Sequence, residues 1–249
     1  MTKPQITLII PMYNETKIIR DTALALDQYM SANFESYEIL FSDDGSVDGS
    51  AQAVSELELP GTKVIGYEKN RGKGSAVRTA MLMAEGEIVM FTDADLAYGT
   101  EVIKRAYLTL KNDDKASVLI GSRNLTKDGY EGYTAIRRVA SKVFLKMIGF
   151  LGGFKLSDSQ CGCKAYKNIA AKDIFSRCKI DGFAFDFECI IWAGELGYHI
   201  CEMPVKVINH RASSVHIIKD SLKMTGDVIK IRRSIKAESK KDKKAKKEN

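Results

Sequence analysis

Strand-like and helix-like segments alternate along the first half of the chain, and this alternation restricts the fold more than any other feature of the sequence. Apolar runs that suit strands occupy residues 5–10, 37–42, 62–67, 87–92 and 117–121. The segments between them repeat apolar residues at helical spacing. Strands separated by helices of about 10–15 residues indicate βαβ units. We therefore predict an α/β fold with a Rossmann-like, mostly parallel sheet flanked by helices.

The second half is less regular but contains no internal repeat and no linker. Helical spacing covers residues 139–151 and 185–196, a strand pattern covers 198–208, and a last helix is marked by residues 215–229. We expect a single domain over residues 1–236. Residues 237–249 are rich in lysine and have almost no apolar side chains to bury, so they are predicted to be a disordered tail.

Charge is distributed unevenly along the chain. The net charge is +6; residues 230–249 carry ten Lys/Arg against three acids, or +7, which leaves about −1 for residues 1–229. A nearly neutral body argues against a nucleic-acid-binding protein, which would spread basic residues over a docking face. The five cysteines are an odd number in a long chain and do not have zinc-site spacing, which favours buried thiols in a reducing compartment. The sequence contains neither a signal-peptide pattern nor an apolar run as long as a membrane span.

Polar residues follow every early strand. They are Pro11-Met-Tyr-Asn-Glu15, Asp43-Asp-Gly-Ser-Val-Asp-Gly-Ser50, Lys69-Asn-Arg-Gly-Lys-Gly74, Asp93-Ala-Asp95 and Gly121-Ser-Arg123. Right-handed crossovers place the carboxyl ends of parallel strands at one edge, where open α/β sheets bind ligands. Carboxylates that converge there repel one another unless they share a cation. Asp93 and Asp95 are therefore candidate ligands of a hard divalent ion.

Two simpler motifs do not match. The segment that begins at Asp44 resembles a calcium loop, but Ser55 occupies the position of the bidentate acid. The glycines of residues 66–74 miss the spacing of a phosphate-binding loop and lack the Ser/Thr after the lysine.

Five segments, taken together and in order, resemble one family. They are ITLIIPMYNE, ILFSDDGSVDGS, NRGKGSAVRTAM, EIVMFTDADLA and GSR. They resemble the inverting glycosyltransferases of family 2, which have the GT-A fold. Within that family they are most similar to the polyprenyl-phosphate glycosyltransferases, which include the dolichyl-phosphate β-glucosyltransferases and the dolichol-phosphate mannose synthases. The resemblance implies a nucleotide-sugar donor, Mg²⁺ or Mn²⁺, and a polyprenyl-phosphate acceptor.

The resemblance also implies roles for particular residues. The nucleoside would be held by Pro11, Tyr13 and Glu15, together with the segment of Phe41 and Asp43. The metal would be bound by Asp93 and Asp95, with Asp95 the closer ligand. The acceptor phosphate would be bound by Arg123, Arg137 and Ser141, and the leaving diphosphate would be stabilised by Arg123 and Arg211. Two positions depart from the mannose synthases. Ala97 replaces a glutamine that assists the metal there, and Val215 replaces a lysine of the loop that closes over the donor. Both departures argue against GDP-mannose as the donor and leave UDP-glucose as the alternative donor.

The nature of the acceptor decides whether a base is needed. A lipid phosphate is already anionic at pH 7, whereas a sugar hydroxyl must lose a proton to a carboxylate. Asp186 or Glu188 is the candidate base for that alternative. Two other classes of protein fit the sequence less well. A nucleotidyltransferase usually has a glycine-rich basic loop after its first strand, and a non-catalytic binding module does not explain the density of acids at the strand ends.

Two segments favour a membrane-borne acceptor. Residues 139–151 interleave Lys142 and Lys146 with apolar residues, as interfacial helices do. The Lys-rich tail can attract anionic lipids. We therefore expect a cytoplasmic protein that is peripheral on the cytoplasmic face of a membrane.

Overall fold

A seven-stranded sheet forms the centre of the computed structural model, which describes residues 3–126, 135–209 and 225–239. The strands are β1 (Ile6–Met12), β2 (Tyr37–Asp43), β3 (Thr62–Gly66), β4 (Ile88–Phe91), β5 (Ala116–Ser122), β6 (Lys164–Lys167) and β7 (His199–Pro204). Their spatial order is β3-β2-β1-β4-β6-β5-β7. All neighbours pair in parallel except β6, which is antiparallel to both β4 and β5. The predicted mostly parallel sheet is confirmed.

Helices cover both faces of the sheet. They are α1 (Ile19–Asn33), α2 (Ser50–Ser55), α3 (Lys73–Met83), α4 (Glu101–Asn112), α5 (Ala135–Gly152), α6 (Asn168–Phe175), α7 (Phe185–Glu195) and α8 (residues 225–239). Side chains alternate between the faces along each strand. Leu8 and Ile10 of β1 pack with α1, α2 and α4 in one core, and Ile9 packs with α3, α6 and α7 in the other.

The sequence prediction missed β6 and α6, which lie in the irregular second half. β6 has only four residues and begins and ends with lysine, so it carries no alternation signal. β6 inserts between β4 and β5, which are the fourth and fifth strands predicted from the sequence.

The last described helix extends into the segment predicted to be a tail. α8 continues to residue 239, three residues past the predicted end of the domain at 236. The part of the predicted last helix before residue 225, and the tail from residue 240, lie outside the described residues. Within the described ranges no helix combines the length and apolar character that crossing a membrane requires.

Candidate active site

The loops after β1 and β2 are bonded to each other along the carboxyl edge of the sheet. Asn14 donates its backbone N–H to the Ser46 hydroxyl at 2.9 Å and accepts from the Val47 N–H at 3.0 Å. The Glu15 N–H donates to Ser50 Oγ at 2.8 Å. Asn14 has a φ of 55°, a conformation that asparagine tolerates better than most residues. These bonds hold the two loops as one unit.

The five residues predicted to bind the nucleoside lie on these two strands and their loops. Tyr13 is 46% exposed and Glu15 is half-buried, so both side chains are accessible at the edge. The Asp43 carboxylate accepts from the Ser46 N–H at 3.2 Å. Pro11 is buried in β1, and the Phe41 side chain is fully buried in the core. Any contact between position 41 and a nucleoside therefore comes from its backbone, not from its aromatic ring.

Buried Asp44 organises the basic loop that leads into α3. Its carboxylate accepts from the Tyr67 hydroxyl at 2.6 Å, the Asn70 amide at 2.9 Å, and the backbone N–H groups of Arg71 and Gly72 at 2.9 Å. Burial and this carboxylate raise the pKa of Tyr67 to about 12. Four charge-assisted bonds from one carboxylate make the loop rigid. Asp44 thus positions the segment before Lys73 and is not itself available to a ligand.

Asp93, directly after β4, has protein partners on two sides. Its carboxylate forms an ion pair with the Lys73 ammonium. It also lies against Gly162, where any Cβ would overlap the carboxylate. Burial favours neutral Lys73, but Asp93, Asp186 and Asp95 outweigh it and raise the pKa of Lys73. Lys73 is therefore a permanent cation at the end of β4.

Asp95 has different surroundings. Its Oδ1 accepts from the Ala97 N–H at 3.0 Å, and the intervening Leu96 has a left-handed backbone with φ of 48°. Asp95 and Leu96 line a pocket together with Asp21 of α1 and Asn209. A non-glycine residue in this conformation stores strain of the kind that clusters at functional sites.

A second ion pair lies beside the first. Lys164 of β6 is fully buried, and its Nζ donates to Asp186 Oδ1 at 2.5 Å and to the Cys161 carbonyl at 2.8 Å. Burial raises the pKa of Asp186, and Lys164 and Lys73 oppose that rise. The other candidate base, Glu188, uses both oxygens to accept backbone N–H groups of residues 179 and 180 at 2.8–2.9 Å. Glu188 is therefore a loop cap, and Asp186 is the partner of a buried lysine.

Arg123, after β5, is held by buried Asp158. Its Nε and Nη2 donate to the two Asp158 oxygens at 2.7 and 3.0 Å, the two-point geometry that suits arginine and a carboxylate. The Asp158 N–H in turn donates to Glu202 of β7 at 3.2 Å. Arg123 is therefore oriented by the protein before any ligand binds.

The structure leaves two of the predicted phosphate-binding groups without side-chain placement. Arg137 and Ser141 lie one turn apart on the backbone of α5, and only that backbone is described. Arg211 lies outside the described residues, as does Val215.

Sequence reasoning missed the segment of residues 157–164. It supplies the partner of Arg123 through Asp158, the surface under Asp93 through Gly162, and the partner of Asp186 through Lys164. Its Cys-Gly-Cys lacks the spacing of a zinc site and gives no sequence signal for these contacts. Cys161 and Cys163 are buried free thiols, and burial raises the pKa of Cys161 to about 11. The available signal was an aspartate and a lysine that flank small residues in a segment without helical or strand periodicity.

The donor set fits a divalent metal held jointly with a substrate. In the described part of the chain no three His, Cys, Asp or Glu side chains form a cluster that could hold an ion alone. Mg²⁺ and Mn²⁺ take oxygen ligands, and Mg²⁺ is usually held by one or two carboxylates together with substrate phosphates and waters. Asp93 and Asp95 can supply those carboxylates.

A mostly parallel sheet with carboxylates and oriented cations at its carboxyl edge is the architecture that this chain shares with glycosyltransferases of the GT-A class. The chain belongs to glycosyl transferase family 2, whose model matches residues 7–175. The predicted family, fold and enzyme class are thereby confirmed.

Similar proteins include dolichyl-phosphate beta-glucosyltransferases of three organisms. The protein from Trichomonas vaginalis is 29% identical over 236 residues, which cover 90% of this chain and 70% of that protein. The Saccharomyces cerevisiae protein is 29% identical, with coverages of 91% and 74%. The Homo sapiens protein is 28% identical, with coverages of 92% and 75%.

The fold is also that of a solved enzyme. Glucosyl-3-phosphoglycerate synthase from Mycobacterium tuberculosis, crystallised with Mn²⁺, uridine diphosphate and phosphoglyceric acid, superposes with a TM-score of 0.67. The match covers 94% of this chain and 78% of that one at 18% identity, so it establishes the shared architecture.

Proposed function

We propose that the chain transfers a hexose from a nucleotide sugar to a polyprenyl phosphate with inversion, and that the donor is UDP-glucose. The observation that carries this proposal is the similarity to dolichyl-phosphate beta-glucosyltransferases over nine-tenths of the chain, combined with paired carboxylates and oriented cations at one edge. Ala97, at a position where the resembling mannose synthases have glutamine, favours glucose over mannose.

The nucleoside is assigned to the joined loops after β1 and β2. Tyr13 and Glu15, whose side chains are accessible, contact the nucleoside. The backbone near Pro11 and Phe41 and the Asp43 carboxylate complete the proposed site. Asp93 and Asp95 would hold Mg²⁺ or Mn²⁺. Such an ion offsets charge on the leaving diphosphate and acts as a Lewis acid.

In the proposed reaction an oxygen of the acceptor phosphate attacks the anomeric carbon. The bond from that carbon to the diphosphate oxygen breaks, the electron pair leaves with the nucleoside diphosphate, and the configuration inverts. Arg123 and Arg211 stabilise the phosphate charges, and Arg137 and Ser141 bind the acceptor phosphate. Because that phosphate is already anionic, the step needs no general base.

The second candidate is transfer to a sugar hydroxyl with Asp186 as the base. Burial raises the pKa of this carboxyl, which is typical of catalytic bases. Its ion pair with Lys164 is the competing structural explanation. Full transfer by Asp186→Asn would exclude the base, since a base is needed only for a hydroxyl acceptor. Loss of transfer supports a base only if Lys164→Met, which breaks the same ion pair, keeps transfer.

A membrane-borne acceptor places the enzyme at a bilayer surface. The proposed contacts are residues 139–151 and the Lys-rich tail, and the proposed location is the cytoplasmic face. The test is a screen of UDP-glucose and GDP-mannose with Mn²⁺, with and without polyprenyl phosphate. We expect nucleotide diphosphate release from UDP-glucose that depends on the lipid phosphate. Release that depends only on a sugar hydroxyl acceptor would overturn the proposal.

A further inference from the structure

Asn209 follows β7 and bonds to the turn after β4, which is named here the β4 turn (residues 93–97) and which carries Asp95. The side-chain amide of Asn209 donates to the backbone carbonyls of Asp95 and Leu96 at 3.1 and 3.3 Å. Leu96 is the residue of this turn with a left-handed backbone. Because Asn209 lies 114 residues beyond Asp95 in the chain, tertiary packing brings the amide to the turn.

Two further bonds fasten the β4 turn to its surroundings. The Ile208 N–H donates to the Ala97 carbonyl at 2.8 Å. One residue before Asp95, the Ala94 carbonyl accepts from the hydroxyl of buried Thr22, on α1, at 2.8 Å. The turn is therefore anchored both to α1 and to the segment after β7, and Asp95 lies between the two anchors.

The same groups surround the pocket that Asp95 lines. Thr22, Leu96 and Asn209 line it too, together with other residues of α1. Asp95 Oδ1 accepts from the Ala97 N–H at 3.0 Å. Because that N–H belongs to the backbone of the turn, the bonds that fix the backbone also fix the direction of the carboxylate.

β4 has an asparagine clamp of the same kind at each end. Before β4, the Asn168 amide donates to the carbonyls of Ala84 and Gly86 at 3.2 and 2.6 Å. Asn168 is half-buried, whereas Asn209 is exposed, where water can replace a lost hydrogen bond at little cost. Asn209 therefore contributes less to stability than Asn168, and its position beside Asp95 distinguishes it.

We propose that Asn209 is a positioning residue for Asp95, which it holds ready for a divalent ion brought by a nucleoside diphosphate. Removing a group that orients a metal ligand typically lowers metal affinity by about 10–100-fold, although the group does not touch the metal. The inference rests on the proposed function, in which Asp95 binds the metal, and it adds a residue that lies outside the five sequence motifs.

Asn209→Ala is tested against Asn168→Ala, which removes the same two bonds at the other end of β4. Uridine diphosphate is titrated into the full chain by calorimetry, at several Mn²⁺ concentrations and with a chelator, and thermal unfolding is recorded without metal. We expect Asn209→Ala to need about tenfold more Mn²⁺ for half-maximal binding, and to bind uridine diphosphate like the wild type in chelator. Asn168→Ala should lose at least as much in Tm and keep the wild-type Mn²⁺ dependence.

Three results would overturn the inference. The first is a wild-type Mn²⁺ requirement in Asn209→Ala. The second is an equal shift in Asn168→Ala, which would show that any loosening of β4 has this effect. The third is a loss of uridine diphosphate affinity that is as large in chelator as in Mn²⁺, since Asn209 would then act on the nucleotide rather than on Asp95.

Transfer assays separate this inference from the proposed function. With polyprenyl phosphate as acceptor, Asn209→Ala should regain most of the wild-type rate at excess Mn²⁺, and a rate that excess Mn²⁺ does not raise would count against the inference. If the wild type binds uridine diphosphate with Mn²⁺ but transfers no sugar to a polyprenyl phosphate, the proposed function fails and the binding comparison still decides the role of Asn209. If the wild type transfers normally and the Mn²⁺ shift is absent, only the inference fails.

Discussion

At the residue scale, two aspartates two positions apart at the end of β4 have different partners. Asp93 pairs with Lys73 and rests on Gly162, so the protein already satisfies much of its carboxylate. Asp95 lines a pocket and sits beside a left-handed residue. We propose Asp95, because it lines the pocket, as the main protein ligand of a metal brought by a nucleotide diphosphate.

We therefore expect Asp95→Ala to abolish transfer while the protein stays folded. A partly exposed carboxylate at a strand end contributes little to packing, so thermal unfolding should be unchanged within about 0.5 kcal/mol. Calorimetric titration with uridine diphosphate and Mn²⁺ checks this. Asp21→Ala, which removes a carboxylate lining the same pocket, is the control. Undiminished metal-dependent binding by Asp95→Ala would refute the assignment.

A second residue-scale prediction concerns Asp158, which orients Arg123. Asp158→Asn keeps the shape of the side chain but removes the negative charge that accepts from Arg123. The free energy of unfolding should therefore fall by about 1–3 kcal/mol. The misplaced Arg123 guanidinium should lower kcat/KM by about tenfold or more. A tenfold loss corresponds to about 1.4 kcal/mol of lost transition-state stabilisation. Asp173→Asn, which weakens a partly exposed ion pair with Arg177, is the matched control. Equal kinetics of the two variants would show that Asp158 only supports the fold.

At the element scale, the sequence indicated strands and helices best where apolar periodicity was long. β1 and β2 follow their predicted ranges to within two residues at each end. β6 was missed because its place depends on hydrogen bonds to β4 and β5, not on its own four residues. For the same reason the supports of Arg123 and Asp186 could not be predicted, since Asp158 and Lys164 reach those residues only through tertiary packing.

The joined loops after β1 and β2 give a pH-dependent prediction. Burial raises the pKa of Asp48, but hydrogen bonds from Ser50 and Thr16 outweigh burial and lower this pKa below its ordinary value. A lowered folded-state pKa stabilises the fold above the ordinary aspartate pKa of about 3.9, and the stabilisation is lost as pH falls below it. Asp48→Asn should therefore be less stable than wild type in urea at pH 7, and the difference should shrink below about pH 4. Asp114→Asn, in the exposed turn before β5, should show no such trend; a difference independent of pH would refute the role of the charge.

The segment before β6 gives the other element-scale prediction. In Gly162→Ala the new methyl group must displace the Asp93 carboxylate, which breaks the ion pair with Lys73. That pair is partly exposed and contributes little stability, so Tm should fall by less than about 4 °C while transfer drops sharply. Gly194→Ala in α7, where a Cβ meets nothing within 4 Å, is the control and should stabilise the helix slightly. Full activity of Gly162→Ala would show that the position of Asp93 does not matter.

At the scale of the whole molecule, the chemistry and the proposed membrane contact occupy different parts of one fold. The parallel strands bring the acidic and basic loops to one edge of the sheet. The helices α5 and α8 share the core of one face, and the outer side of α5 exposes Val143, Met147 and Phe150. This arrangement would allow a lipid phosphate to reach the site while the rest of the lipid stays in the bilayer.

Inverting transfer of glucose to a lipid phosphate is tested most directly by the stereochemistry of its product. The full chain is incubated with UDP-glucose, Mn²⁺ and polyprenyl phosphate, and the lipid fraction is examined by NMR at the anomeric centre. We expect a β-linked glucosyl phosphate, because the α-linked donor is inverted in a single displacement, and we expect none when the metal is chelated. An α-linked product, or no lipid-linked glucose beside sugar transferred to a hydroxyl acceptor, would contradict the claim.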